Sequence, residues 1–112
     1  MSQLEDRIIE ELAAELHRAE RERTQVTQFS KRFPDMTIDD GYRISRAWMT
    51  IKRNEGRQVR GHKIGLTSRA MQQAAGITEP DYGTLLDDMV FAEGGDVPFD
   101  RFITPKFEAE LA

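Results

Sequence analysis

Gln58-Val59-Arg60-Gly61-His62-Lys63-Ile64-Gly65-Leu66 is the stretch on which the fold turns. Its short mixture of apolar and polar residues, and the glycines at Gly61 and Gly65, predict a strand where a backbone or a ligand comes close. Upstream the texture is helical. Leu4, Ile8, Leu12 and Leu16, with Ile9 and Ala13 beside them, recur at helical spacing, and Ser2-Gln3-Leu4-Glu5 fits a capping box, so a helix is expected from about residue 3 to 23. Its other face (Glu11, Glu15, Arg18, Glu22) is an ordinary solvated side. Thr24 to Met36 lacks sustained periodicity, contains Pro34 and reads as a connector. A second helix starts at Thr37, a good N-cap with Asp39 and Asp40 in the first turn. Ile38, Tyr42, Ile44, Ala47, Trp48 and Ile51 form its apolar surface, and Gly56 can take the left-handed position that ends it near Asn54.

Downstream, Thr67 or Ser68 can cap a short helix, Arg69 to Ala75, with Ala70, Met71 and Ala74 inward and Gly76 ending it. Glu79 to Gly83 reads as a turn, Thr84 to Phe91 as a short strand or bridge, Gly94-Gly95 as a hairpin-like reversal, and Val97 to Ile103 as an extended stretch interrupted by Pro98. In the last nine residues, Phe107, Ala109 and Leu111 alternate with Lys106, Glu108 and Glu110, the period of a half-buried strand. That pattern runs to Ala112 without a turn or polar tail, as a cut sequence does. The expected fold class is α+β: two N-terminal helices, then a short-stranded, loop-rich β region. A helical N-terminal segment is expected over residues 1–56 and the first part of a truncated β-rich domain over 57–112.

Composition narrows the function classes. With 112 residues the chain is one domain or less. Sixteen Lys and Arg against twenty Asp and Glu leave a net charge of −4, so no global basic field attracts nucleic acid or an anionic membrane. Zero cysteines exclude disulfides, thiolate catalysis and sulfur-based zinc sites, so any metal must use oxygen or histidine. The N-terminus is charged throughout, without a signal-like apolar stretch or a membrane span, and a cytoplasmic location is expected.

Among the residues that can carry chemistry, Glu108 and Glu110 share one face of the expected strand, roughly 6 to 7 Å apart, within reach of one hard divalent cation. On spacing alone the same pattern is more often a solvent-facing strand edge. Lys63, between two glycines and without acidic neighbours in its segment, can be held near a substrate, partly desolvated, for acid–base use. Most lysines are instead surface residues whose stems cover apolar neighbours. Asp81, in Pro-Asp-Tyr-Gly, is a catalytic carboxylate or, more commonly, an Asx-turn residue. His62 points to the face opposite Lys63 and reads as structural, His17 lies on a charged helix, and neither has a triad-like partner. Asp87 and Asp88, adjacent on a strand, cannot readily face one ion.

Three runs taken together, GHKIGLTSRAMQ, EPDYGTLLDDMVF and DRFITPKFEAELA, resemble in order and spacing the 2-oxohept-4-ene-1,7-dioate hydratases, their 2-oxopent-4-enoate hydratase and 4-oxalocrotonate decarboxylase relatives, and the fumarylacetoacetate hydrolase-like superfamily. The resemblance is weak through the first helix and strong from Ile38 to Ala112. It implies an incomplete fumarylacetoacetate hydrolase-like fold, a metal-binding ExE motif on Glu108 and Glu110, an active-site lysine on Lys63 and an acidic residue on Asp81. It also implies Mg²⁺ or Mn²⁺, a small 2-oxo or 2-hydroxy dienoate substrate, and a third metal carboxylate from a region beyond Ala112. The reaction implied is hydration in aromatic catabolism; the alternatives are a 2-oxo acid decarboxylase of the same family or a non-catalytic fragment acting by association. A homo-oligomer is expected, because the apolar residues of the last strand would otherwise lie on an unpaired edge.

Overall fold

The helical periodicity of the N-terminal third is realised in the computed structural model, which describes residues 3–112. Helix α1 spans Asp6–Glu22 and α3 spans Ile38–Asn54, with a single turn, α2 (Phe29–Arg32), inside the expected connector. The capping box read at Ser2 involves a residue outside those described; Glu5 stands at the N-cap of α1 without a side-chain cap bond. Helices α1 and α3 pack through Ile9, Leu12, Ala13 and Ile44, all buried, with Leu4, Leu16, Ala47, Trp48 and Ile51 partly buried around them. Each large aliphatic side chain removed from water there contributes roughly 1.5–3 kcal/mol. Phe29 and Phe33, on and just after α2, close the same cluster, which is why a stretch without periodicity still forms one helical turn.

Thr37 caps α3 as expected: its hydroxyl accepts from the Asp40 amide at 3.1 Å while the Asp40 carboxylate accepts from the Thr37 amide at 3.0 Å. Asp40 is fully buried. Its carboxylate also accepts from the amides of Gln3, at 3.0 and 3.1 Å, and Leu4, at 3.3 Å, and from the Arg43 guanidinium at 3.0 Å. One carboxylate thus caps α3 and anchors the entry into α1. Lys52, in the last turn of α3, is buried, its ammonium 2.6 Å from Glu20 Oε1 and over the Trp48 ring.

The helix pair has a second polar clasp. Trp48 Nε1 donates to His17 Nδ1 at 3.2 Å, which leaves His17 Nε2 to donate to Glu55 Oε2 at 3.0 Å. His17 is therefore structural. The bond from His17, chiefly, with the charges of Arg21 and Lys52, holds the Glu55 carboxyl below its ordinary 4.5. A carboxyl depressed in the folded state stabilises above its unfolded pKa and loses that contribution as pH falls through the lowered value. Helical signal is expected to weaken on acidification below about pH 4.5, less steeply in Glu55→Gln; identical acid titrations of the two proteins by circular dichroism would contradict this.

After Gly56, with φ of 99°, the chain enters strand β1, Val59–Gly65, as expected. Strand β2 is Asp81–Leu86, antiparallel to β1, and helix α4, Arg69–Ala75, connects them. Ser68 caps α4 by accepting from the Met71 amide, and Gly76, with φ of 74°, ends it. Ala70, Met71 and Ala74, expected inward, are exposed, because among the described residues no other element packs extensively on α4.

Three further expectations need correction. Asp81 to Gly83 belong to β2 rather than to a turn, because these residues pair with Lys63 to Gly65; the strand then stops at Leu86 and Asp87–Met89 form a 3₁₀ turn. Gly94, with φ of 75°, and Gly95 reverse the chain, Gly95 donating to Ala92 at 2.9 Å, but Phe99–Arg101 after Pro98 is a second 3₁₀ turn rather than an extended stretch. Residues 104–112 pair with nothing and form no strand. Alternation alone does not hold a strand together without a neighbour for its amides and carbonyls. The result is an α+β fold with one packed helical layer and a two-stranded sheet, too narrow to be stable alone.

Candidate active site

The register of β1 against β2 decides which side chains meet. Lys63 lies opposite Gly83, and Gly65 opposite Asp81. Alternate strand positions share a face, so Lys63, Gly65, Asp81 and Gly83 lie on the same side of the sheet, with His62 and its partner Thr84 on the other. The two functional side chains stand on one diagonal of this square and the two glycines on the other. Asp81 leans across Gly65: a Cβ placed on Gly65 would lie 2.6 Å from Asp81 Oδ1 and 4.0 Å from Lys63 Nζ. A Cβ on Gly83 would meet Lys63 Cγ at 3.9 Å.

Glu110 completes the cluster. Its Oε1 lies 4.0 Å from Lys63 Nζ, with both side chains about half exposed, 47% for Lys63 and 49% for Glu110. Lys63 therefore has acidic company in space although it has none in its segment, and it is not desolvated. Glu108 is on the same unpaired segment, exposed, and makes no hydrogen bond or ion pair among the described residues. The structure brings Lys63 near Asp81 and Glu110 and gives Glu108 no hydrogen bond or ion pair with them.

Asp87 and Asp88 are held apart by their own cations. Arg57 Nη1 is 3.6 Å from Asp87 Oδ1, and Arg101 Nη2 is 3.4 Å from Asp88 Oδ2, and both aspartates sit on a 3₁₀ turn rather than on the strand expected for them.

Residues that sequence reasoning passed over flank the corner. Tyr42 of α3 stacks on Tyr82 of β2, ring centroids 4.5 Å apart, and ties the helical layer to the strand that carries Asp81. Leu66, Ile77, Pro80 and Ile38 join Tyr42, Tyr82 and Asp81 around an open, largely apolar recess of about 490 Å³. Leu66 takes a left-handed φ of 53° as the chain leaves β1, uncommon for a branched side chain. The signal for this recess was the aromatic and apolar residues on both sides of the Pro-Asp-Tyr-Gly run.

Among the described residues no group of three or more His, Asp or Glu side chains is assembled to hold a metal ion. The donors present do fit a hard divalent cation in kind: Glu108 and Glu110 offer carboxylate oxygens, which such ions prefer.

No family model matches the chain. It is 52% identical over 101 residues to the 2-oxo-hept-4-ene-1,7-dioate hydratase of Escherichia coli, covering 90% of this chain and 38% of that protein. It is 40% identical over 102 residues to the 2-keto-4-pentenoate hydratase of Paraburkholderia xenovorans, again 38% of the relative's length. The fold resembles that of the 4-oxalocrotonate decarboxylase of Pseudomonas putida G7, solved with calcium and acetate and with magnesium and adipate. In each case the TM-score is 0.76 at 30% identity, over 79% of this chain and 34% of that one. The chain thus spans well under half the length of the proteins it matches. In sequence and in fold it is similar to part of these hydratases and of this decarboxylase.

Proposed function

We propose that the chain carries part of the active site of a metal-dependent hydro-lyase acting on a 2-hydroxy-2,4-dienoate or its 2-oxo-enoate tautomer. The substrate we favour is 2-oxohept-4-ene-1,7-dioate, giving 4-hydroxy-2-oxoheptanedioate, in the cytoplasmic breakdown of aromatic compounds. The observation that carries the reading is the approach of Lys63 and Asp81 to Gly65, with Glu110 4.0 Å from the Lys63 ammonium, in a chain 52% identical over 101 residues to a hydratase of that substrate.

Glu108 and Glu110 would hold the cation, Mg²⁺ or Mn²⁺, with further ligands from substrate, water and acids outside these residues. When bound it supplies Lewis-acid polarisation of the 2-oxo carboxylate end. The protein's own groups then divide the proton work. An ammonium has donors and no lone pair, so Lys63 donates: to C5 of the dienol as it ketonises, or as a hydrogen bond to the oxygen at C2 while charge develops there. An ionised carboxylate accepts, so Asp81 takes the proton of the water whose oxygen bonds to C4. The enol O–H proton is released as C2 becomes a ketone and balances the proton gained at C5, and the proton that Asp81 takes from water is returned to C3, so the net change is addition of one water, OH at C4 and H at C3. The apolar recess beside Asp81 would receive the carbon chain.

On this reading residues 1–56 are a helical segment supporting the site, residues 57–112 carry part of the β-rich catalytic domain, and copies of the chain associate. Phe107 and Leu111, fully exposed, are the surface that association would cover.

The likeness in fold to a decarboxylase supports a second reading, loss of CO₂ from a 2-oxo acid at the same site. Product analysis separates the two. With a 2-hydroxy-2,4-dienoate and Mg²⁺, a 4-hydroxy-2-oxo acid without gas release is expected; CO₂ released from a 2-oxo-enedioate without hydrated product would replace the hydratase reading with the decarboxylase one.

A further inference from the structure

Gly65 is the last residue of β1 and pairs with Asp81, a strand position where glycine contributes no side chain to the sheet. Its backbone does not require glycine: the glycines with positive φ are Gly56, Gly76 and Gly94. What distinguishes it is the space above its Cα. A Cβ at Gly61, on the same strand, would meet nothing within 4 Å, and one at Gly83 would make ordinary contact with Lys63, whereas one at Gly65 would lie 2.6 Å from Asp81 Oδ1. That distance is far inside van der Waals contact. The obstructing atom belongs to a short side chain with one rotatable bond beyond Cβ, so the strand can keep its register only by turning the carboxylate away.

We infer that Gly65 is a positioning residue of the site: its missing Cβ lets the Asp81 carboxylate stand across β1 beside the Lys63 ammonium. The consequence for catalysis rests on the hydratase reading above; the placement itself does not. An alanine at 65 moves Asp81 by roughly an ångström, a displacement that can cost on the order of 10²-fold in rate. Alanine at Gly61 or Gly83 leaves Asp81 in place.

The test compares Gly65→Ala with Gly61→Ala in the full 112-residue chain, following the Asp81 carboxyl carbon and the Lys63 side-chain resonances by NMR, with circular dichroism as the measure of folding. The expected result is a shift of both sets in Gly65→Ala, neither in Gly61→Ala, and an unchanged helical spectrum. Unmoved Asp81 resonances in a folded Gly65→Ala chain would overturn the inference. Should Gly65→Ala fail to fold, the double variant Gly65→Ala/Asp81→Ala decides: recovery supports a collision with Asp81, and continued failure overturns it. Where turnover is measurable, kcat should fall about 10²-fold with KM little changed. Formation of a product other than the 4-hydroxy-2-oxo acid would count against the hydratase reading and leave the resonance comparison valid.

Discussion

Lys63→Ala is expected to lower hydration turnover by about 10²-fold or more while the helical content stays unchanged, because general acid catalysis by a positioned side chain is worth about 10²–10⁴-fold. Lys63 lies on a two-stranded sheet with its side chain about half exposed, so its removal leaves no buried cavity. Its ammonium lies 4.0 Å from Glu110 Oε1 and on the same side of the sheet as Asp81, and alanine removes that positive charge. Lys63→Arg keeps the charge, but the larger planar head would have to fit the space over Gly65, and the variant should recover little of the rate. Steady-state kinetics on the two variants checks this. Wild-type turnover in Lys63→Ala would remove the residue from the mechanism and leave it as a surface lysine whose stem covers the sheet.

Asp40→Ala is expected to have the largest effect on stability. The carboxylate is fully buried and accepts from the amides of Gln3, Leu4 and Thr37 and from Arg43. Its loss leaves several donors without their acceptor at the junction of α1 and α3, and breaking a buried pair of this kind costs about 3–5 kcal/mol. For a chain of this size each kcal/mol lowers the melting temperature by roughly 4–8 °C, so the variant should melt well over 10 °C lower or fail to fold. Asp40→Asn retains the shape but turns an NH₂ toward donors, and should recover only part of the loss. Thermal melts of the three proteins read this out; a variant melting within about 4 °C of the parent, equivalent to about 1 kcal/mol or less, would show that water replaces the carboxylate without cost.

These expectations divide along the line between local and long-range interactions. Helices α1 and α3, the caps at Thr37 and Ser68, and the glycine ends at Gly56 and Gly76 were legible because each is determined within a few residues. Strand β1 was legible for the same reason. The start of β2 was not: Pro80-Asp81-Tyr82-Gly83 has the local chemistry of a turn, and only pairing with Lys63 to Gly65 makes it a strand. The terminal segment shows the converse, an alternating pattern without a neighbouring strand to realise it. Asp40 read as one of two first-turn acids, and nothing local distinguishes it from Asp39; its burial comes from amides 36 and 37 residues away. Lys63, Asp81 and Glu110 were each legible as candidates, whereas their meeting place was not, since it depends on the register of two strands and on the space above Gly65.

The central claim is that residues from three separate segments form one cation-binding corner. Titration of Mn²⁺ into the isotopically labelled chain tests it most directly, because the paramagnetic ion broadens the resonances of nuclei near it whether or not the chain turns over substrate. The account predicts that Glu108 and Glu110 broaden first, together with Lys63, Gly65 and Asp81, and that Glu110→Gln abolishes the effect at all five positions. Broadening centred on Asp87, Asp88 and Asp100, or spread evenly over the acidic surface, would contradict it.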